Sequence, residues 1–224
     1  MDRKAHIGVD PEDWHVALLK VERSFGVKFK ENELAHVRTL AELLDAIDGK
    51  IPGYDVKDCA TQQAFYRIRA ALVTELDTGP SAIGPDSGLD ALVPRKGRHR
   101  SMKRIESHVG VPLNALSVKR WMAILLALVF CGSLVTFIWS SQFGIVGLVV
   151  FAVLLALASV TKKEFNVRTV GALSERASQY DYRSMRRDYG AVNRKEIRAK
   201  LKQFFQEKFA LEPDDLREDM LIAS

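Results

Sequence analysis

The sequence predicts an all-α protein made of small helical bundles, with a hairpin of two apolar helices inserted into it. Two uncharged apolar runs, 121–139 and 145–160, are separated by only five residues. The remainder of the chain is polar and shows helical periodicity, helix caps and no alternating strand pattern. We therefore expect helices throughout.

The first helix is predicted from its cap. Asp10 is a good N-cap, and Pro11 stands at the first helical position. Apolar residues at positions 14, 18, 21 and 25 share one face, and Gly26 ends the helix. The helix is therefore expected to bury this face in a core.

Three further amphipathic helices follow from similar patterns. Thr39 and Glu42 form a capping box, which opens a helix that ends at Gly49. Segment 61–76 repeats apolar residues at helical spacing. Segment 195–209 does the same, with its apolar residues at Ile197, Leu201, Phe204, Phe205 and Phe209.

The apolar hairpin predicts a membrane anchor. Nineteen residues rise about 28 Å, close to the hydrocarbon thickness of a bilayer. Trp121 and Trp139 stand at the two ends of the first run, as interfacial aromatic anchors do. Basic residues flank the hairpin and favour a multi-pass inner (plasma) membrane protein with both termini in the cytoplasm. These topology and anionic-lipid residues are Arg95, Lys96, Arg98, Arg100, Lys103, Arg104, Lys119, Arg120, Lys162 and Lys163.

Charge and motifs exclude several classes of function. The net charge is +5, although residues 1–60 carry 9 basic against 12 acidic side chains. The basic segments lack the interleaved aromatic residues of a nucleic-acid stacking platform, so we expect no nucleic-acid partner. Two cysteines make no disulfide framework, and the five histidines show no metal-binding spacing. No phosphate-binding or nucleophile motif is present, so no catalytic or metal residue is predicted.

An internal repeat organises the polar part of the chain. The segment VERSFGV at 21–27 matches IESHVGV at 105–111, and VRTL at 37–40 matches VRTV at 167–170. The second copy is 46 residues longer between these motifs, about the length of the hairpin with its basic flanks. The hairpin is therefore predicted to lie inside the second copy.

These motifs resemble the acyl carrier protein superfamily, a small four-helix bundle. In that family the second helix ends in E-x-x-F-G-V, which 21–27 resembles, and the fourth begins T-[VL]-x-x-L, which 39–47 resembles. Segment 195–209 is similar to a first helix. The resemblance implies one bundle formed by the two chain ends and a second bundle interrupted by the hairpin.

The domain boundaries follow from this resemblance. They are a partial carrier-like unit of second to fourth helices (1–50), a linker (51–61), the first part of a second unit (62–116), a transmembrane hairpin (117–163), the last helix of that unit (164–182), a basic linker (183–193), and a first-helix segment that completes the N-terminal unit (194–224).

The departure from the family is the missing serine. The family attaches phosphopantetheine to a serine at the start of its second helix. The matching positions hold Pro11 in the first unit and fall near Arg95 in the second. Ser87 mimics the family's D-S-L motif, but about eight residues too early, and is only a weak alternative site.

The resulting functional prediction is a non-enzymatic integral membrane protein without a cofactor. It would present degenerate carrier-like bundles to an unidentified cytoplasmic protein through acidic helix faces. A lipid bilayer with anionic headgroups is the second expected partner, and a homo-oligomer is a further possibility. The alternative is a membrane-tethered acyl or peptidyl carrier that bears phosphopantetheine.

Overall fold

The computed structural model describes residues 11–117, 120–139, 141–160 and 164–211. Within these ranges the side chains of 11, 120, 123, 138, 139, 141 and 158–160 lie outside the description. The described residues are mostly helical, which confirms that part of the predicted fold class. They divide into two compact units: unit 1 is Met1–Arg67 with Ser174–Ser224, and unit 2 is Ile68–Leu173.

The described residues form ten α-helices and four very short strands. In chain order they are α1 (Pro11–Phe25), α2 (Leu40–Lys50), β1 (Tyr54–Asp55), α3 (Ala60–Leu76), α4 (Leu89–Leu92), α5 (Arg98–Val109), β2 (Leu116–Ser117), α6 (Arg120–Trp139), α7 (Ser141–Val160), β3 (Glu164–Phe165), α8 (Val170–Tyr180), α9 (Tyr182–Met185), β4 (Ala191–Val192) and α10 (Arg194–Phe209). A 3₁₀ turn covers Pro80–Ala82.

Local signals set the helix ends in unit 1. Helix α1 is described from Pro11 and ends before Gly26, as predicted, where the φ of Gly26, 64°, is in the left-handed region. The Thr39 and Glu42 capping box at the start of α2 is confirmed. Backbone N–H groups of residues 38 and 39 donate to the Glu42 carboxylate and lower its pKa. The predicted N-cap Asp10 lies outside the described residues.

The core of unit 1 joins the two ends of the chain. Phe205 and Leu201 of α10 are fully buried in the same cluster as Leu40 and Leu44 of α2. The indole ring of Trp14 in α1 lies 5.6 Å from the Phe205 ring between centroids. The C-terminal helix therefore packs on the N-terminal helices within one chain, and its apolar face is covered.

Strands are the first difference from the expected all-α fold. Strand β1 pairs with β4 in parallel, and β2 pairs with β3 antiparallel, with two residues in each strand. Two residues are too short to show an alternating pattern in a sequence. The β2–β3 pair holds the two ends of the α6–α7 hairpin together.

The interior of unit 2 draws on several segments between α3 and α8. Its fully buried side chains include Ile83 and Leu89, which precede α5, and Ile105 within α5. Leu173 in α8 is also buried. The hairpin therefore interrupts a unit whose buried residues come from both sides of it in sequence.

The two hairpin helices pack closely on each other through glycines. A Cβ atom placed on Gly144 would lie 2.3 Å from Phe137, and one on Gly147 would lie 2.5 Å from the Ser133 hydroxyl oxygen. The outer surface is apolar and open, as shown by Leu128 at 66% and Val135 at 63% exposure. The hairpin thus has a tight internal seam and an uncovered apolar surface.

The prediction of membrane-spanning helices is corrected by the structure. Within the described part of the chain, no helix is long and apolar enough to cross a membrane. This finding contradicts the prediction of a multi-pass inner-membrane protein with cytoplasmic termini.

The segment expected to be a solvated basic linker is also different in the structure. Residues 183–193 contain the end of α9 and strand β4, and Arg186 is only 3% exposed. Its guanidinium donates to the Tyr182 hydroxyl at 3.1 Å. A charge pattern alone does not show this burial, because it depends on residues from α9 and α10 that meet only in the fold.

Candidate functional site

The sequence repeat corresponds to a repeated local structure. Gly26 after α1 and Gly110 after α5 both have positive φ, 64° and 80°. Four residues before each glycine stands a glutamate whose carboxylate caps the following turn. Glu22 accepts from the Phe29 N–H at 2.6 Å, and Glu106 accepts from the Leu113 N–H at 2.9 Å. The two copies of the motif therefore turn the chain in the same way.

In unit 1 this turn encloses one wall of a groove. A cavity of about 450 Å³ lies between α1 and the segment that follows it. Apolar side chains provide much of its lining, and charged groups stand among them. The lining residues are His15, Leu18, Leu19, Glu22, Phe29, Lys30, Glu31, Asn32, Leu34 and Ala35.

Unit 2 has a groove at the matching place. Its cavity of about 330 Å³ lies beside α5 and is lined by His99, Met102, Lys103, Glu106, Asn114, Ala115 and Leu116. Each of these residues is 84 positions after a residue that lines the first groove, as with His15 and His99. The repeat therefore includes a binding-sized cavity as well as a turn.

The two grooves differ in their chemistry. Leu19 of the first groove is replaced by Lys103 in the second. Val16 and Leu19 are 43% and 50% exposed on α1, so the α1 side of the first groove is apolar. Each groove is lined by one lysine, but Lys103 stands on helix α5, whereas Lys30 stands on the segment after α1. The helix side of the second groove is thus basic where that of the first is apolar.

The predicted acidic face of α1 is largely used inside unit 1. Lys208 donates to Asp13 at 2.7 Å, and Glu22 accepts the backbone N–H described above. Asp10 lies outside the described residues. The exposed apolar residues of α1 are therefore better suited to contact a partner than its carboxylates are.

No serine begins either of the helices that match the carrier family's second helix. Helix α1 begins at Pro11, and α5 begins at Arg98 after Gly97. The hydroxyl of Ser87 accepts from the Gly84 N–H at 2.9 Å in a turn before the four-residue helix α4. Ser87 is thus part of a local turn and does not begin a long helix.

The predicted basic residues fall into two groups in the structure. Arg95 pairs with Glu164 at 3.5 Å, and Arg104 makes a two-point pair with Glu75, which lowers the pKa of that carboxyl. Arg98 is 1% exposed and donates to the Val93 carbonyl. Among the predicted residues whose side chains are described, Lys96, Arg100 and Lys103 are exposed and have no hydrogen bond or ion pair to the described part of the chain.

The remaining predicted flanking residues are only partly described. Trp121 is 58% exposed. Lys119, Lys162 and Lys163 lie outside the described residues, as do the side chains of Arg120 and Trp139.

A buried polar cluster in unit 1 escaped the sequence analysis. Lys200 of α10 is 6% exposed, and its ammonium donates to the hydroxyls of Ser178 and Thr61 at 2.7 and 2.9 Å. Burial lowers the pKa of Lys200, although nearby Glu196 opposes this shift. The one sequence signal was the position of Lys200 between Ile197 and Leu201 on the apolar side of α10.

The same cluster stabilises the start of α3. The carboxylate of Glu196 accepts from the Ala60 N–H at 2.8 Å and from the Thr61 N–H at 3.3 Å. A carboxylate at a helix N-terminus is favourable because the first N–H groups have no partner within the helix. The cluster is therefore well explained as a structural feature of unit 1.

The comparisons with known proteins leave the family open. No protein-family model, no curated protein and no solved structure matches this chain. The resemblance to acyl carrier proteins thus stays a prediction from short motifs. In the described ranges, no group of three acidic, histidine or cysteine side chains is placed to hold a metal ion.

Proposed function

We propose that this chain is a non-enzymatic protein whose two carrier-like units bind partner proteins, unit 1 through the groove beside α1. The observation that carries the proposal is the recurrence of a groove at matching positions in both units. A cavity that is kept in two copies of a motif, together with its histidine and glutamate, is more than a local packing defect. The carrier-like identity of the units rests on the motif resemblance.

The groove of unit 1 suits an apolar helix of a partner. Its volume of about 450 Å³ is in the range of ligand-sized pockets, roughly 300–1,000 Å³. Leu18, Phe29 and Leu34 line it, and Val16 and Leu19 extend the apolar surface onto the exposed face of α1. An amphipathic helix that inserts one large side chain into such a groove is a common mode of recognition.

The charges around the groove favour apolar contact over ion pairing. Lys30 and Glu31 stand at the rim with opposite signs. Asp13 is already paired with Lys208. A partner would therefore gain most from burying Val16 and Leu19, at about 25 cal/mol for each Å² of apolar surface removed from water.

The burial of the Ser178 and Lys200 pair in unit 1 supports a non-enzymatic role. The Ser178 hydroxyl and the Lys200 ammonium are 2.7 Å apart, an arrangement that could activate a nucleophile. Ser178 has no exposed surface, and Lys200 is 6% exposed. A substrate cannot reach this hydroxyl unless the packing of α8 on α10 opens.

Photo-crosslinking tests the proposed partner site. A photoreactive amino acid in place of Leu19 should form discrete protein adducts in cells, whereas one in place of Lys20 should not. Val16→Asp should reduce the adducts roughly tenfold, since it puts a charge into an apolar contact. Lys20→Asp is the matched exposed control. Equal adducts at positions 19 and 20 would refute the groove as the binding site. An adduct with a small molecule would mean that the groove binds an apolar ligand and not a protein.

Intact mass separates this proposal from its alternative, a phosphopantetheine carrier. Co-expression with a phosphopantetheinyl transferase should leave the mass unchanged, because the Ser87 hydroxyl is engaged in its own turn. A gain of one phosphopantetheine that is lost in Ser87→Ala would establish the carrier function instead.

A further inference from the structure

Helix α5 presents an unpaired basic face. His99, Arg100 and Lys103 are exposed on α5, and Lys96 is exposed just before it. In the described part of the chain, none of these four side chains has an ion pair or hydrogen bond. We call this set the basic face. Lys103 stands four residues after His99 and three after Arg100, so these three lie together on one side of the helix, and Lys96 lies just before its start.

The neighbouring arginines differ from the basic face because they have partners within unit 2. Arg95, Arg98 and Arg104 come from the same run of sequence, but each has an acidic or carbonyl partner in unit 2. Three cations of this run thus pair within unit 2, whereas the four residues of the basic face have no partner in the described part of the chain. At the matching positions of unit 1 stand Glu12, His15, Val16 and Leu19, so the basic face is not a general property of the repeat.

The basic face is fixed to the base of the apolar hairpin. The guanidinium of Arg98, the first residue of α5, lies 4.5 Å from the Phe165 ring centroid in β3. Arg95 pairs with Glu164 in the same strand. Residues 114–116 line the groove beside the basic face and continue through β2 toward the hairpin. Cations and apolar surface are therefore joined at one point of unit 2.

We propose that this part of unit 2 binds the surface of an anionic lipid membrane. Lys96, Arg100 and Lys103, with His99, would contact headgroup phosphates, and the hairpin would supply apolar contact. A large exposed apolar surface marks an interaction site. Basic groups next to apolar ones are typical of segments that lie at a lipid surface.

The same observations are less suited to nucleic acid. Side chains that stack on bases are aromatic, and none stands among the four residues of the basic face. An RNA would also leave the hairpin surface, including Leu128 and Val135, uncovered.

Vesicle binding of the full chain tests the proposal. The partition coefficient is measured by co-sedimentation with phosphatidylcholine vesicles and with vesicles of equal parts phosphatidylcholine and phosphatidylglycerol. We expect clear preference for the anionic vesicles, reduced by salt. In a triple variant, Lys96→Gln, Arg100→Gln and Lys103→Gln, binding to anionic vesicles should fall on the order of 100-fold, since each cation contributes roughly a factor of five.

The matched control removes the same charge elsewhere. Lys20→Gln, Lys28→Gln and Lys195→Gln change exposed residues of unit 1 and should lower anionic binding less than tenfold, by net charge alone. The proposal is overturned if the wild-type chain does not prefer anionic vesicles, or if the two triple variants bind equally. Competition distinguishes a nucleic-acid ligand. If single-stranded RNA releases the chain from anionic vesicles at a lower concentration than competing phosphatidylglycerol vesicles do, the basic face is assigned to nucleic acid instead.

Discussion

Glu22 and Glu106 make the same contact in the two units. Each carboxylate accepts a hydrogen bond from the backbone N–H seven residues further on, at 2.6 Å and 2.9 Å respectively. Each also lines the groove of its own unit. The carboxylate thus orders the turn that forms the groove wall, which explains why the same residue type is found at both places.

Substitution of these glutamates should loosen the turns. Glu22→Ala and Glu106→Ala leave a backbone N–H without its charged acceptor, and we expect each to cost about 1–3 kcal/mol of local stability. Glu22→Gln and Glu106→Gln retain an acceptor oxygen and should cost less than half as much. Hydrogen exchange of the amides at 29 and 113 measures the effect. Equal protection in the Ala and wild-type chains would show that the contact does not hold the turn.

The glycine after α1 should be sensitive to a side chain. Gly26→Ala is expected to destabilise unit 1 by about 1–2 kcal/mol, because φ is 64° and a Cβ would lie 2.9 Å from the Arg183 side chain. Gly49→Ala is the control: nothing lies within 4 Å of its Cβ position in α2, and it should stabilise by about 0.5–1 kcal/mol. Urea denaturation compares the two, and a stabilising Gly26→Ala would be the contrary result.

Phe205 should be required by both ends of the chain. Phe205→Asp places a charge in the core of unit 1 and should cost at least about 3–5 kcal/mol. Exchange protection should then be lost in α1 and α2 as well as in α10. Ala199→Asp, on the exposed side of α10, should leave protection intact. If α1 and α2 stay protected in Phe205→Asp, they do not depend on the C-terminal helix.

Buried Lys200 should make stability depend on pH. Its pKa is lowered, chiefly by burial, so between that value and the ordinary lysine pKa of about 10.4 the unfolded chain binds a proton that the folded chain lacks. Stability therefore rises with pH through this window, and at lower pH the full cost of the buried charge is present.

Lys200→Met removes this dependence. The hydroxyls of Thr61 and Ser178 still face each other at 3.0 Å, so the variant should fold. Its stability relative to wild type should be greatest below the lowered pKa of Lys200 and should decline as the pH rises toward about 10.4. Lys195→Met, exposed on the same helix, should show no such trend. A difference between Lys200→Met and wild type that is constant with pH would contradict the effect.

The seam of the hairpin should reject a larger residue. Gly147→Leu would place a Cβ 2.5 Å from the Ser133 hydroxyl oxygen and push α7 away from α6. Gly132→Leu makes the same change where nothing lies within 4 Å. Protease cleavage between α6 and α7 should accelerate at least about tenfold in the first variant only, for a loss of about 1–3 kcal/mol. Equal cleavage of both variants would mean that the seam is not close-packed.

Most helices could be predicted because their signals are local. The Thr39 and Glu42 capping box and the end of α1 before Gly26 depend on residues within one or two turns. The two-residue strands could not be predicted, because their pairing joins residues as far apart as Tyr54 and Ala191. Membrane spanning was predicted from the length of the apolar runs. It is contradicted because no described helix is long and apolar enough to cross a membrane.

The candidate site was predictable only in part. The repeat at 21–27 and 105–111 identified the two turns, and the basic run at 95–104 was predicted as a topology and anionic-lipid signal. The sequence could not show that Arg98 is buried beneath Phe165 while Arg100 is exposed, since their neighbours come from distant segments. Each cavity lies between a helix and the segment that follows it, and no local sequence pattern determines the distance between them.

By itself the sequence determined the helical character, the repeat and the positions of caps, because these depend on backbone sterics and hydrogen bonds between near neighbours. Only the tertiary structure decided which charged side chains are buried and which are exposed. Lys200, Arg186 and Arg98 are all buried, whereas Lys96 and Lys103 are exposed. The physical reason is that the desolvation of a charge is offset only by partners brought together by the fold, and those partners are far away in the chain.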